Sequence, residues 1–353
     1  MRQLGFLDLE EREEKLTKMG DPLVGLNARI DWEAFRADLD IIHIKPRKSN
    51  AGAKPIDVVL MFKLLVLQQL HNLSDDQIEY QIRDRFSFMR FLGLHIEDRV
   101  PDAKTVWLFR ERLKDHKLIE VLFERFHEQL ALQGYIAKAG QMIDATFIEV
   151  PRQRNRRKEN AQVKAGEIPP EWKEEIAKSK LCQKDLDARW TKKNFENHYG
   201  YKNHINADQE HKLVHSYKIT DASVHDSQVF EELLDHSLED NNKKRAIYAD
   251  SAYRSKEKEQ QLEKDGIPSQ ICEKGTKNHP LTEEQKKSNN KKSKVRSRVE
   301  HVFGAQAQMG GHTVNTIGIL RAEVKVGMMN LVYNMVRLGQ LLKRDRVNGP
   351  VGA

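Results

Sequence analysis

The hydrophobic rhythm of the chain changes near Gly140. Before it, apolar residues recur at helical spacing; after it, short β-branched runs alternate with polar helical stretches. Ile56 to Leu70 ("IDVVLMFKLLVLQQL") predicts a helix, and Asp57, Lys63, Gln68 and Gln69 break it as a membrane span. "SDDQ" at Ser74 to Gln77 has a capping-box pattern, and Ile78, Ile82, Phe86 and Met89 continue an apolar stripe behind it. Val100 to Leu113 predicts a further helix start, with Asp102 as cap and Val106, Phe109 and Leu113 on one side. Pattern alone leaves two roles open for these helices, a helix-turn-helix-like reader of DNA or a plain bundle for dimerisation.

Beyond Gly140, "QMIDATFIEV" (Gln141 to Val150) reads as a strand entering a core, with Asp144 embedded in it. A polar, basic stretch from Pro151 to about Asn197 reads as an insertion or flexible arm. Gly200 to Asp208 and Lys212 to Thr220 predict two strands joined by a short polar turn. Asp226 to His236 predicts a helix capped by Asp226 or Ser227, Arg245 to Asp250 a strand, Ser255 to Gly266 a polar helix, and Ile267 to Cys272 a last short strand. Two helices close the chain, one holding "VRSRVEHVFG" (Val295 to Gly304) with Val295, Val299, Val302 and Phe303 as the face that docks it on the sheet, the other spanning about Gly318 to Arg344 with Leu331, Met335, Leu338 and Leu342 as its core stripe. Three strands, helix, strand, helix, strand, helix is the ribonuclease-H-like order: an α/β core with a mixed five-stranded sheet and helices on both faces. The expected division is an all-α domain over 1–135, an α/β domain over 136–345 with a basic insertion at 151–197, and a flexible tail over 346–353.

Charge changes the picture through its placement. There are 60 Lys+Arg against 53 Asp+Glu, but the runs Arg152 to Lys158 and Lys286 to Arg298 concentrate the excess. Such runs suit a polyanion, and each alone also suits a solvated loop. Only Cys182 and Cys272 are present, so a disulfide framework or cysteine-rich zinc site is not expected, and a reducing cytoplasm fits. The acidic N-terminus lacks a signal peptide's uninterrupted apolar core. His198, His204, His211, His215 and His225 fall at no zinc-binding spacing.

Three carboxylates take mechanically sensible positions: Asp144 on the first strand, Asp250 ending the fourth, Glu300 on the helix after the fifth. Hard divalent cations take oxygen ligands, and such ions can activate a water or a 3′-hydroxyl. Asp144 inside an apolar strand is costly without a role. Asp250 equally suits a strand-end turn or helix cap, and Glu300, four residues after Arg296, locally resembles half of a weak surface ion pair. Asp226 in "VHDS" reads as a helix cap before a fourth ligand.

"IDATFIEVPRQR", "DLDARWTKKN", "HYGYKNHINAD", "ITDASVHDSQVFEELL", "YADSAYRS" and "VRSRVEHVFG" occur in order, behind "KPIDVVLMFKLLVLQQLHNLSDDQIEYQIRDRFSFMRFLGL" and "VPDAKTVWLFRERL". Together, from about Lys54 to Leu342, they resemble bacterial insertion-sequence transposases of the DDE type, those of the "IS five" family above all. The resemblance puts the family's acid triad on Asp144, Asp250 and Glu300. It implies two Mg²⁺ ions (or Mn²⁺), cleavage at terminal inverted repeats, joining of 3′-hydroxyls to target DNA, and a homodimer in the synaptic complex. The family's Tyr three before the Arg and Lys seven after the Glu are replaced here by Ser293 and Ala307, so any end-positioning by that pair is absent or performed elsewhere.

Arg296 and Arg298 suit phosphate contacts, since a guanidinium grips phosphate oxygens bidentately, and Arg296 equally suits orienting Glu300. Lys192, Lys193 and Lys202 are candidate backbone contacts, and Tyr253 and Arg254 candidates for positioning a DNA end, with Tyr253 equally a core aromatic. The leading expectation is therefore a DNA transposase. The alternatives are a structure-specific nuclease on the same fold and a DNA-binding repressor derived from a transposase.

Overall fold

The computed structural model describes residues 8–43, 55–135, 137, 139–173, 181–193, 195–236, 245–276 and 279–348. It divides into two compact units, one drawn from 1–133 and 334–353, the other from 134–333. The helix expected to belong wholly to the catalytic domain runs unbroken over Ile319–Asn348, and its residues from Asn334 on count with the first unit. It also reaches into 346–353, so 346–348 are helical where a flexible tail was expected; the last five residues lie outside the described ones.

Helices build the first unit. Asp57, expected only as a charge within the apolar run, caps the helix Val58–Leu70 by accepting from Val59 N and Leu60 N. Ser74 and Gln77 form the expected capping box, and Asp102 caps Ala103–Asp115 through Thr105 N. The stripe from Ile78 to Met89 is split, because Arg85 adopts an extended conformation between Asp75–Asp84 and Phe86–Leu92. Among the described residues no helix is long and apolar enough to cross a membrane.

The second unit is organised around one sheet of β1 (Gln141–Glu149), β2 (Arg189–Lys193), β3 (Glu196–Asp208), β4 (Val214–Asp221) and β5 (Ile247–Tyr248). β3 pairs antiparallel with β1 along one side; along the other, β2 pairs with its first residues and β4 with the rest. β5 joins β1 in parallel, and the expected last strand is reduced to a bridge at Ser269 beside Ile247. The resulting order, β4–β3–β1–β5 with the Ser269 segment outermost, is a ribonuclease-H-like mixed sheet. Helices cover both faces. Ile143 points into a cluster with Phe230, Tyr253 and Leu262. On the opposite face Asn203, Gln306 and Asn330 are linked by buried hydrogen bonds of 2.7 to 3.4 Å, which join the sheet to Glu300–Gln308 and to the Ile319 helix.

The stretch expected as a flexible arm is folded in its described parts. It holds the helix Arg157–Lys164, a short turn of helix at Pro170–Lys173, and β2. Trp172 is fully buried and donates to Glu159 Oε1 at 2.8 Å. Asp185 accepts from Tyr201 OH, Ala188 N and Gly318 N, so one buried carboxylate ties the insertion to β3 and to the start of the last helix. Where this insertion rejoins the sheet, Gly200 has φ +147, and a Cβ there would run into the carbonyl oxygen of Ile148; only glycine fits. Residues 174–180 of the expected arm lie outside the described residues.

Candidate active site

The sheet register places the first two acids. β1 and β5 pair at Gln141↔Ile247 and Met142↔Tyr248, and the same offset continued two residues sets Asp144 beside Asp250. β5 ends at Tyr248, so the two carboxylates sit where parallel strands separate, at the carboxyl end of the pair. The carboxyl end of parallel strands is the usual binding edge of open α/β sheets. Asp250 closes the strand by accepting from Ser251 N at 2.5 Å, capping the 3₁₀ turn Ser251–Tyr253. The turn residue and the candidate ligand are thus one and the same.

Asp144 is buried and accepts from Ala145 N at 2.9 Å and from Arg296 Nη1 at 2.7 Å. Burial pushes its carboxyl above the ordinary value; Arg296 and the Ala145 amide pull against this, and the charge of Glu300 adds to the rise. Glu300 is exposed and opens the helix Glu300–Gln308. Its helix is not continuous with the preceding one: Glu283–Arg296 ends, a 3₁₀ turn covers Ser297–Val299, and a new helix begins. Val299, Val302 and Phe303 are buried, with Val295 half-buried, as their apolar spacing predicted. Arg296 does not orient Glu300. Its guanidinium crosses to Asp144, a partner 152 positions away that helical spacing does not reveal.

Two further side chains converge here. The segment Asp226–Gln228 packs against Ser251–Tyr253. Asp226 does not cap a helix; His225 accepts from Ser227 N instead, and the helix that follows is short, Phe230–Leu233. Asp226 Oδ1 accepts from Lys202 Nζ at 2.7 Å, and the same ammonium donates to Val224 O at 2.7 Å. Lys202, expected among the DNA contacts, is 7% exposed and turned inward to these two acceptors, so it is an internal cation. Tyr253 is core as well: 1% exposed, its hydroxyl without a partner among the described residues. Burial drives its phenol well above the ordinary value, and Asp226, Asp144 and Asp250 each push it further while Arg296 opposes. One hydroxyl therefore feels three carboxylates at once.

The other expected contacts are at the surface. Lys192 and Lys193 are exposed on β2, Arg298 is exposed on the 3₁₀ turn before Glu300, and Arg254 is half-buried with its Nε 3.2 Å from Glu259. The all-oxygen set of Asp144, Asp250 and Glu300 suits a hard divalent cation by donor chemistry. Among the described residues, no three His, Cys, Asp or Glu side chains are drawn into a metal cage. The cation that meets Asp144 is Arg296.

A ribonuclease-H-like sheet is found in nucleic-acid-processing enzymes, and the family comparison places the chain with those of the DDE type. Residues 137–335 match the family described as "Transposase DDE domain", and residues 10–112 match "Transposase domain (DUF772)". The chain belongs to the DDE transposase family. Among solved structures it is similar to one titled "Cryo-EM structure of piggyBac transposase synaptic complex with hairpin DNA (SNHP)", at 13% identity and a TM-score of 0.48, over 94% of this chain and 77% of that one. Enzymes of this family generally use divalent metal ions.

Proposed function

We propose that this protein is a bacterial insertion-sequence transposase of the "IS five" type. It binds the terminal inverted repeats of its element, cuts phosphodiester bonds there and joins the freed 3′-hydroxyls to target DNA. The juxtaposition of Asp144 and Asp250 where β1 and β5 part, with Glu300 within electrostatic reach of Asp144, carries this reading. These three carboxylates would hold Mg²⁺, or Mn²⁺ in its place. Bound there, a pair of divalent ions supplies activation of the attacking oxygen and stabilisation of the leaving oxygen.

The chain's own groups prepare that chemistry. Asp250 is fixed by the turn it caps, and Asp144 by Ala145 N and Arg296. Arg296 pairs with Asp144 at 2.7 Å and is the guanidinium at hand for a phosphate oxygen beside the site. Lys202 balances Asp226 beneath the site, which keeps a further buried carboxylate from repelling the DNA backbone. Arg298, Lys192, Lys193 and Arg254 are the residues offered to phosphates. Two copies acting on paired ends, in the bacterial cytoplasm at the nucleoid, complete the reading. The test is direct. Purified protein is incubated in Mg²⁺, and separately in Mn²⁺, with a duplex carrying the inverted repeats that flank its gene. Nicked ends and joined products support a transposase, cleavage without joining supports a nuclease, and binding without cleavage in either metal supports a repressor.

A further inference from the structure

The hairpin joining β2 to β3 ends in a residue that its own fold does not justify. Phe195 is 93% exposed and has φ +68, a backbone region that favours glycine or asparagine over an aromatic residue. A two-residue hairpin connection calls for such a φ, so the turn accounts for the backbone but not for an aromatic side chain there, and a ring this exposed points to an external partner. The surroundings describe that partner. Lys192 Nζ lies 5.8 Å from the Phe195 ring, and on the same face of the ribbon Arg152 lies 5.6 Å over Trp190, itself 44% exposed. On the other face Phe147 stacks on His198 at 4.1 Å with 6° between the ring planes, and Lys193 and Lys202 lie 5.5 and 5.4 Å from Phe147. Lys202 then reaches Asp226 beside the acid crevice. Rings and cations thus flank both faces of the ribbon behind its tip, with Glu196 the acidic residue beside Phe195.

We propose that the hairpin tip, Phe195 flanked by Lys192 and Lys193, stacks on an unpaired base of a DNA strand led toward the acid site. This rests on the DNA-processing reading above. Aromatic rings set among cations are how proteins hold single strands, because every unpaired base offers a π-face while the cations track phosphates. A fully paired duplex offers no such face at its sides.

The test uses the full chain and two labelled probes of about 20 nucleotides, single-stranded oligothymidine and a fully paired duplex, read by fluorescence anisotropy. Phe195→Ala should weaken single-strand binding by roughly 5-fold or more and leave duplex binding within about twofold. Phe195→Trp should restore it, and Phe195→Gly should melt no lower than the parent, since φ +68 suits glycine. If Phe195→Ala weakens neither probe, or both alike, the stacking role falls while the DNA reading stands. If the parent protein binds neither probe, both fall. If Phe195→Ala instead converts a dimer to a monomer with DNA binding unchanged, the tip is a contact with a second copy and the proposal is overturned.

Discussion

Lys202→Met keeps most of the side chain's length and removes only its ammonium. That ammonium makes two hydrogen bonds of 2.7 Å, to Val224 O and Asp226 Oδ1. The side chains of the pair are 9% and 14% exposed, so solvent screens little of the interaction. Each hydrogen bond from a charged donor is worth about 1.5–3 kcal/mol, and breaking a buried ion pair from one side costs about 3–5 kcal/mol. The two bonds give about 3–6 kcal/mol and the ion-pair route about 3–5, the same scale, because Asp226 is left largely buried and uncompensated. The double variant with Asp226→Asn should recover much of the loss, since it removes the stranded charge. Two units allow two transitions, so unfolding is followed by urea-dependent hydrogen exchange of the β1 and β3 amides, which lie in the second unit. A loss under about 1 kcal/mol for Lys202→Met, or no recovery in the double variant, refutes the assignment of Lys202 as an internal counter-cation.

Two more expectations follow from buried polar groups. Burial is the main cause that lowers His204 to about 4, with Lys202 and Lys193 adding and Asp226 opposing. Between that value and 6.5 the unfolded chain binds the proton and the native chain does not. His204 therefore contributes stability that is complete above pH 6.5 and is lost as the pH falls toward 4, about 3 kcal/mol in all. His204→Gln, titrated by denaturant unfolding across that range, should flatten the profile; an unchanged slope would count against a buried neutral imidazole. Asp185→Asn should cost about 1–3 kcal/mol, because its carboxylate gathers the Tyr201 hydroxyl and three backbone amides. Limited proteolysis should then cut faster within 151–193, and an unaltered rate would separate Asp185 from the anchoring of the insertion.

The sequence was informative where chemistry is local. The capping box of Ser74 and Gln77, the Asp102 cap and the apolar face of Val299, Val302 and Phe303 all depend on neighbours within a turn, and all are present. Strand order also carried far, because Asp144 sits in an apolar β-branched run that only a strand explains. Contacts set by tertiary packing were not legible. Arg296 at four residues from Glu300 suggested a local pair, whereas docking of its helix end on β1 gave it Asp144. "VHDS" suggested a cap, whereas a cation from β3 claimed Asp226 and His225 took the capping role. The insertion read as an arm because its composition is polar and basic, yet its few buried groups, Trp172, Glu159 and Asp185, suffice to fold it on the sheet.

The central claim is that Asp144, Asp250 and Glu300 are the reacting centre, and single isosteric substitutions test it most directly. Asp144→Asn, Asp250→Asn and Glu300→Gln would each be assayed for strand cleavage of the inverted-repeat duplex in Mg²⁺ and in Mn²⁺, with duplex binding measured alongside. Each should abolish cleavage by at least about a hundredfold while binding persists, as expected when a group that activates the attacking or leaving oxygen is removed. Full cleavage by any one of the three, with its fold intact, would contradict the assignment of that carboxylate and with it the account of the site.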